Sequence, residues 1–317
     1  MKSKIKKLLF ECTKNSRITT KELGKRIEAS QQSASYLLNT LKRKKIIESP
    51  STIVDAVKFG FINVIVGINF IKTDHATKKQ VLEDLRDYNS ITGIEECKEG
   101  VDLIIDYVVP NLSAFNKVHL EIADKFSNKT RIVFVYPIIV SHEYYKNYLI
   151  RKFDSTDKIL FGDREIVEIS NDESLILKEL VRTPDKKLID MAESTNVPIK
   201  SVIKIKRDLE RKGIIRGYTS ILNNNKLGIQ RQIILLKFLG EGVREIDKFS
   251  DYAKNNKNII RFLKLIGEYQ TAIIIEEMGE INLIRDIREN FPIENYRIMK
   301  SEKIHKKNYL PISNGID

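Results

Sequence analysis

Residues 31–45 combine side chains that could read a nucleic acid. Gln31, Gln32, Ser35, Tyr36 and Asn39 carry amides and hydroxyls, and Lys42, Arg43, Lys44 and Lys45 follow directly. Ala34, Leu37, Leu38 and Leu41 recur between them at helical spacing, so an apolar stripe faces a core and the polar groups face outward. Amides and hydroxyls match the donors and acceptors of base edges. Lysine and arginine suit phosphate oxygens, which position a protein without specifying sequence. A second such face follows: Lys200, Ser201, Lys204, Arg207 and Arg211 stand opposite Val202, Ile205 and Leu209, with Asp208 and Glu210 diluting the charge. Either face alone could be an ordinary solvated helix surface. Charge, helix order and repetition together point to double-stranded DNA as the partner.

The formal net charge is +12, and residues 1–50 hold thirteen Lys or Arg against four Glu. Such concentrated positive charge suggests a polyanion, nucleic acid before a membrane surface. With 317 residues, 42% hydrophobic and 31% charged, the chain is long enough for two or more cores and too apolar for a disordered chain. Its longest apolar stretches, such as 101–110, are broken by charges (Asp102 and Asp106), so no bilayer span is expected. Leu8-Leu9-Phe10 is too short for a signal-peptide core. The cytoplasm is the expected location. Cys12 and Cys97, the only cysteines, sit in apolar patterns and are expected to be reduced thiols.

These faces need a scaffold, and the chain encodes it twice. Lys58-Phe59-Gly60 stands 168 positions before Lys226-Leu227-Gly228, and the same offset pairs Ser33 with Ser201, Leu41 with Leu209, Arg43 with Arg211 and Ile47 with Ile215. Two copies at so long a period mean a duplicated globular unit, which commonly imitates a homodimer. In the first copy, Ile5, Leu8, Leu9 and Cys12 give one helix, and Thr19 or Thr20 caps a second that carries Leu23 and Ile27 inward. The third spans about 31–45. A strand over 62–70 follows, with Ile62, Val64, Val66, Ile68 and Phe70 on one face and Asn63, Gly67 and Asn69 on the other. A helix (77–88), strands (94–98 and 101–109), a helix (112–126) and a strand (131–137) complete a β-α-β-β-α-β order. The second copy repeats this. Its helices carry Ile176, Leu177 and Leu180, then Met191 and Ala192, then a third opening with Pro198 in its first turn and stopping at Gly213. A strand (233–239), helix (243–255), strands (260–265 and 269–276), helix (281–290) and strand (295–301) follow. Lys146-Asn147-Tyr148-Leu149 echoes Lys307-Asn308-Tyr309-Leu310.

Leu209-Glu210-Arg211-Lys212-Gly213-Ile214-Ile215-Arg216-Gly217-Tyr218, with Leu227-Gly228 before the sheet, resembles the end of the recognition helix and the wing of Lrp/AsnC (feast/famine) transcription regulators. The first copy carries a degenerate form, Leu41-Lys42-Arg43-Lys44-Lys45-Ile46-Ile47 and then Phe59-Gly60. The resemblance covers roughly 1–137 and 172–301. It implies an α+β chain with two winged helix-turn-helix domains (1–57 and 172–225), each followed by a ferredoxin-like βαββαβ domain of the RAM type (58–140 and 226–312), joined by a linker (141–171). It implies a sequence-specific DNA-binding regulator acting as an internal pseudo-dimer, because family members are single-copy and dimerise through the sheet domain. Further homo-oligomers are compatible with it. It also implies a small effector, often an amino acid, at the turns bearing Gly100 and Asp102 and bearing Gly267, Glu268 and Tyr269. A plain β-turn is the blander reading of those glycines.

A few two-copy proteins of this kind resemble siroheme decarboxylases instead. That chemistry calls for histidines and cations around a tetrapyrrole. Only His75, His119, His142 and His305 are present, without metal-ligand spacing, and no Ser-His-Asp, Walker or GxGxxG pattern occurs. The expectation is therefore a regulator that is not an enzyme and holds no cofactor, with the tetrapyrrole enzyme as the alternative.

Overall fold

The computed structural model describes residues 3–71, 74–240, 243–279 and 282–311. The expected starts at 1 and 281 and the expected domain end at 312 lie outside the described residues.

The chain opens with three helices, α1 (Ser3–Lys14), α2 (Thr20–Arg26) and α3 (Gln31–Arg43), and a strand, β1 (Ile47–Val54). Thr19 caps α2 by accepting from Glu22 N at 3.2 Å, and Ser30 caps α3 by accepting from Ser33 N at 3.1 Å. Leu8, Leu9, Leu23, Ile27, Ala34 and Leu41 form their shared core. Gly24 lets the turn into α3 pass close: a Cβ there would lie 2.9 Å from the Ala29 carbonyl oxygen. Past β1, the chain runs β2 (Ile62–Phe70), α4 (His75–Asp87), β3 (Ile91–Glu99), β4 (Leu103–Val109), α5 (Leu112–Lys125), β5 (Thr130–Tyr144) and β6 (Asp157–Phe161). The second copy runs α6 (Asn171–Arg182), α7 (Leu188–Thr195), α8 (Ile199–Arg211), β7 (Ile215–Leu222), α9 (Asn224–Leu227), β8 (Ile229–Phe238), α10 (Val243–Asn255), β9 (Ile259–Leu265), β10 (Thr271–Met278), α11 (Leu283–Asn290) and β11 (Ile293–Lys307). Pro198 sits at the N-cap of α8, one position before the expected first turn.

The wings interlock the copies. β1 pairs antiparallel with β7, Thr52 opposite Tyr218. Ile53 and Val54 of β1 pack among Ile176, Leu177 and Leu180 of the second copy, while Leu222 of β7 packs among Leu8, Leu9 and Leu23 of the first. The Thr219 hydroxyl donates to the Thr13 carbonyl at 2.8 Å. Lys45 takes the left-handed conformation (φ 52) that its counterpart Gly213 takes (φ 68), so the degenerate first wing turns as the second does.

The remaining strands run β2-β4-β3-β11-β8-β10-β9-β5-β6, and β2 also pairs with β5. Eight strands thus close on themselves, four from each copy, joined where β3 meets β11 and where β5 meets β9. Helices α4 and α5 cover one outer face through Val81, Leu85 and Phe115, and α10 and α11 cover the other through Phe249 and Ile287. The space between the two half-sheets holds Ile65, Ile104, Leu235 and Ile274. This explains β2, which is buried on both faces: Val64, Val66 and Ile68 meet helices, while Ile65 meets the opposite half-sheet.

Two expectations change. The segment 141–171 is no free linker, because β5 continues to Tyr144 and β6 adds to its edge, His142 opposite Ile159. Some of its polar residues are paired: Asn147 both accepts from Asp154 N and donates to its carbonyl, each at 3.0 Å. β11 likewise runs on to Lys307, because β3 of the other copy pairs with its second half.

Candidate nucleic-acid interface and a buried ionic centre

On α3 the expected reading residues lie together on the outer face. Gln31, Gln32, Tyr36, Asn39, Lys42 and Arg43 are exposed and Ser35 is partly so. Tyr36 is 70% exposed, large for an aromatic with no apolar neighbour to cover it. Apart from a 3.4 Å contact from the Gln31 amide to the Thr20 hydroxyl, none of these side chains bonds within the described chain. Thr20, Ser30, Gln32, Ser35 and Asn39 line a shallow concavity where α2 meets α3. Helix α3 contains no carboxylate. Its unspent donors and acceptors can be satisfied only by water or by a partner.

Helix α8 presents Lys200, Lys204 and Arg207 outward, with Ser201 half-covered. Much of its charge is answered internally. Arg211 meets Asp208 at 2.9 Å, Lys206 meets Glu210 at 2.6 Å, and Lys212 meets Glu173 at 2.7 Å. It offers no amide like Gln32 or Asn39.

The two expected effector turns are packed against the opposite copy. Gly100 (φ 89) abuts β11, where an added Cβ would lie 2.3 Å from the Ile298 carbonyl oxygen. Gly267 (φ 146) abuts the Tyr136 ring on β5 at the same distance. These approaches require glycine. The Asp102 carboxylate accepts from Phe70 N at 2.7 Å, and Tyr269 is buried edge-on against Tyr136. Glu268 alone keeps an exposed side chain.

An ionic centre between the half-sheets escaped the sequence reading. Arg231 on β8 reaches Glu95 on β3 through Nε (2.7 Å) and Nη2 (3.1 Å), and Glu276 on β10 through Nη1 (2.9 Å). Glu276 also accepts from the Tyr148 hydroxyl at 2.7 Å, the Asn224 amide at 3.1 Å and the Lys146 ammonium. Burial opposes its charge, but Lys146 and Arg231 outweigh burial and hold the carboxyl far below the usual carboxylate range. Nearby, the Tyr309 hydroxyl donates to Glu143 at 2.9 Å, and Arg261 donates to the Ser141 hydroxyl at 2.8 Å. The sequence did carry a signal: a glutamate closing the run Ile273-Ile274-Ile275, and an arginine opposite it in the neighbouring strand.

The histidines stand apart from these features. His142 pairs with Asp157 at 3.2 Å, His305 with Glu96 at 2.7 Å, and His119 stacks on Phe115. Both cysteines are buried, and burial pushes the Cys12 thiol up to about 12, so it stays protonated. Among the described residues no helix is long and apolar enough to cross a membrane.

No family model matches the chain. A helix-turn-helix-type transcriptional regulator of Pyrococcus furiosus, itself uncharacterised, is 24% identical over 129 residues, 40% of this chain and 85% of that protein. An AsnC family regulator of Agrobacterium tumefaciens, 12% identical, overlays 44% of this chain at a TM-score of 0.40. The crystal structure of the siroheme decarboxylase NirDL covers 97% of this chain and 94% of its own at a TM-score of 0.61 and 13% identity. That structure shares the architecture from end to end: two helix-turn-helix units, each followed by a βαββαβ unit. That full-length likeness corrects one expectation. The expectation of no enzyme rested on isolated histidines, missing motifs and a basic helix face, and a fold matched from end to end by an enzyme overturns it.

Proposed function

We propose that this chain is a DNA-binding transcription regulator of the Lrp/AsnC kind, in which the two copies form an internal pseudo-dimer and α3 supplies the principal contact. The exposed face of α3 carries the reading: amides and hydroxyls at its start, cations at its end, and, Gln31 apart, no partner for either among the described residues. A recognition helix in the major groove places such N-terminal residues against base edges. Gln31, Gln32, Ser35, Tyr36 and Asn39 would read bases, with Lys42 and Arg43 on phosphates. Lys200, Ser201, Lys204, Arg207 and Arg211 would add weaker, mainly electrostatic contacts from α8. Because the two helices differ, the operator is expected to be asymmetric. Of the expected effector residues, Gly100, Asp102, Gly267 and Tyr269 are committed to packing, so the reading rests on DNA contact alone. Titrating duplex fragments at graded salt tests it. Each phosphate neutralised contributes a log–log salt slope of about −0.9. A flat salt dependence would refute the proposal.

One observation favours a second reading. The likeness to a siroheme decarboxylase spans the whole chain, and that enzyme's structure with an iron-uroporphyrin III analogue overlays equally widely, at a TM-score of 0.59. A cleft of about 940 Å³ between α1 and residues 148–155 has room for a planar polycarboxylate. Lys6, Lys7, Arg151 and Lys152 line it beside Phe10 and Phe153. Binding of iron-uroporphyrin III with a shift of its absorption, abolished by Arg151→Ala, would support this reading; no shift would remove it.

A further inference from the structure

The ionic centre has a less charged counterpart in the other half of the molecule, and a small chamber of similar volume borders each. The 168-residue offset that relates the copies carries Arg231 onto Asn63 and Glu276 onto Val108. Strand registers agree: Arg231 stands opposite Glu276 across β8 and β10, as Asn63 stands opposite Val108 across β2 and β4. The Lys-Asn-Tyr-Leu echo completes the comparison. Lys146 and Tyr148 of one echo both bind Glu276, whereas in the other half Val108 holds that place and Tyr309 donates to Glu143 instead. Replacing arginine and glutamate by asparagine and valine removes volume as well as charge. A chamber of about 60 Å³ lies there, lined by Asn63, Asp106, Val108, Glu143, Lys307 and Tyr309.

Its lining is incompletely bonded. The Lys307 ammonium has no hydrogen bond or ion pair among the described residues. Asn63 is 4% exposed and its Oδ1 has no hydrogen-bond partner, whereas Glu143 Oε1 faces Arg261 Nε at 3.7 Å. Buried polar groups left this way are costly and are normally answered by protein, water or ligand. An eight-stranded closed sheet has an interior that side chains fill, or that holds one small ligand where they do not. At roughly 10–15 Å³ per water, the chamber suits a ligand of only a few heavy atoms.

We propose that this chamber binds a small carboxylate, whose carboxyl group takes the place that the Glu276 carboxyl takes in the other half. Lys307 answers its charge, as Lys146 answers Glu276. Asn63 offers its amide where Arg231 offers guanidinium. Burial raises the Asp106 pKa against the pull of Arg261, and burial lowers that of Lys307 against the pull of Glu143. The site is independent of the DNA reading, since no residue of α3 or α8 lines it.

Thermal unfolding of the full chain with acetate, malonate or inorganic phosphate, against chloride at matched ionic strength, tests the proposal. Acetate or malonate should raise the Tm saturably, and phosphate should do no more than chloride. Lys307→Met should weaken carboxylate binding by about tenfold or more, the loss expected for one charge-assisted hydrogen bond. Val108→Glu supplies from β4 the carboxylate that β10 supplies through Glu276, and should abolish the response while the fold persists. Should Val108→Glu fail to fold, Lys307→Met decides alone. The proposal is overturned by a Tm that neither carboxylate moves beyond chloride, by a response that Lys307→Met leaves intact, or by phosphate acting as strongly as the carboxylates.

Discussion

Helices α3 and α8 are each thirteen residues long and stand at equivalent places in the two copies, yet they spend their side chains differently. On α8, Arg211 and Lys206 meet carboxylates of their own copy, as does Lys212 just past its end, while Lys200, Lys204 and Arg207 are left to solvent. On α3 there is no carboxylate, and Gln32, Asn39, Lys42 and Arg43 are left to solvent. The interior shows the reverse asymmetry. The second copy contributes Arg231 and Glu276 to the ionic network, and the first places the uncharged Asn63 and Val108 at the equivalent positions. Duplication supplied two identical frames. Divergence then left the unpaired amides on the outer face of the first copy's third helix and the Arg231–Glu276 pair with the second copy.

The largest effect should come from breaking the ionic half of the interior. Glu276→Gln strands Arg231 and Lys146, and removing one partner of a buried ion pair costs about 3–5 kcal/mol. Chemical denaturation should show that loss, whereas Asn63→Ala in the other half should change stability by less than about 1 kcal/mol. Equal costs would mean that the halves are not electrostatically distinct. The same carboxylate predicts a pH dependence. Its folded pKa lies below its unfolded value, so its stabilisation is present above the ordinary carboxylate pKa and is lost as pH falls below it. The Glu276→Gln protein should lose less stability than wild type on acidification.

Base reading comes next in size. Gln32→Ala and Asn39→Ala should each cost about 1–3 kcal/mol of discrimination between cognate and altered duplexes, the worth of a good amide–base pair. Ser201→Ala on α8 should leave discrimination unchanged. Comparable losses from α8 would restore symmetry to the interface.

The smallest contrast lies in the wing turns. Lys45 holds a left-handed conformation that Gly213 holds without steric cost. Lys45→Gly should therefore stabilise the protein by up to about 1 kcal/mol, and Gly213→Ala should destabilise it by a similar amount. Thermal denaturation measures both.

The sequence made the duplication legible because backbone demands leave fixed marks. Helix spacing placed Leu8, Leu23 and Leu41 in one core, and Gly60 and Gly228 fall at matching left-handed positions. The order of the sheet domains followed from the pattern of apolar residues, and the outward face of α3 from its helical phase. What stayed hidden depends on contacts between elements distant in sequence. Asp102 and Gly267 looked available for a ligand, because nothing local shows that Phe70 N and Tyr136 already claim them. The polar segment around β6 looked like a linker, because its strand partner is an extension of β5 that its own composition does not announce. The ionic centre joins residues from β3, β8, β10 and the segment after β5, so periodicity within any one element cannot assemble it.

The most direct test of the account removes two cations from each third helix and follows duplex affinity against salt. Lys42→Ala with Arg43→Ala is compared with Lys204→Ala with Arg207→Ala, all in the full chain. If α3 is the principal contact, the first pair should flatten the log–log salt slope by about 1.8, two phosphate contacts at about 0.9 each, and the second pair by less than half of that. Equal flattening by both pairs, or a larger effect from α8, would contradict it.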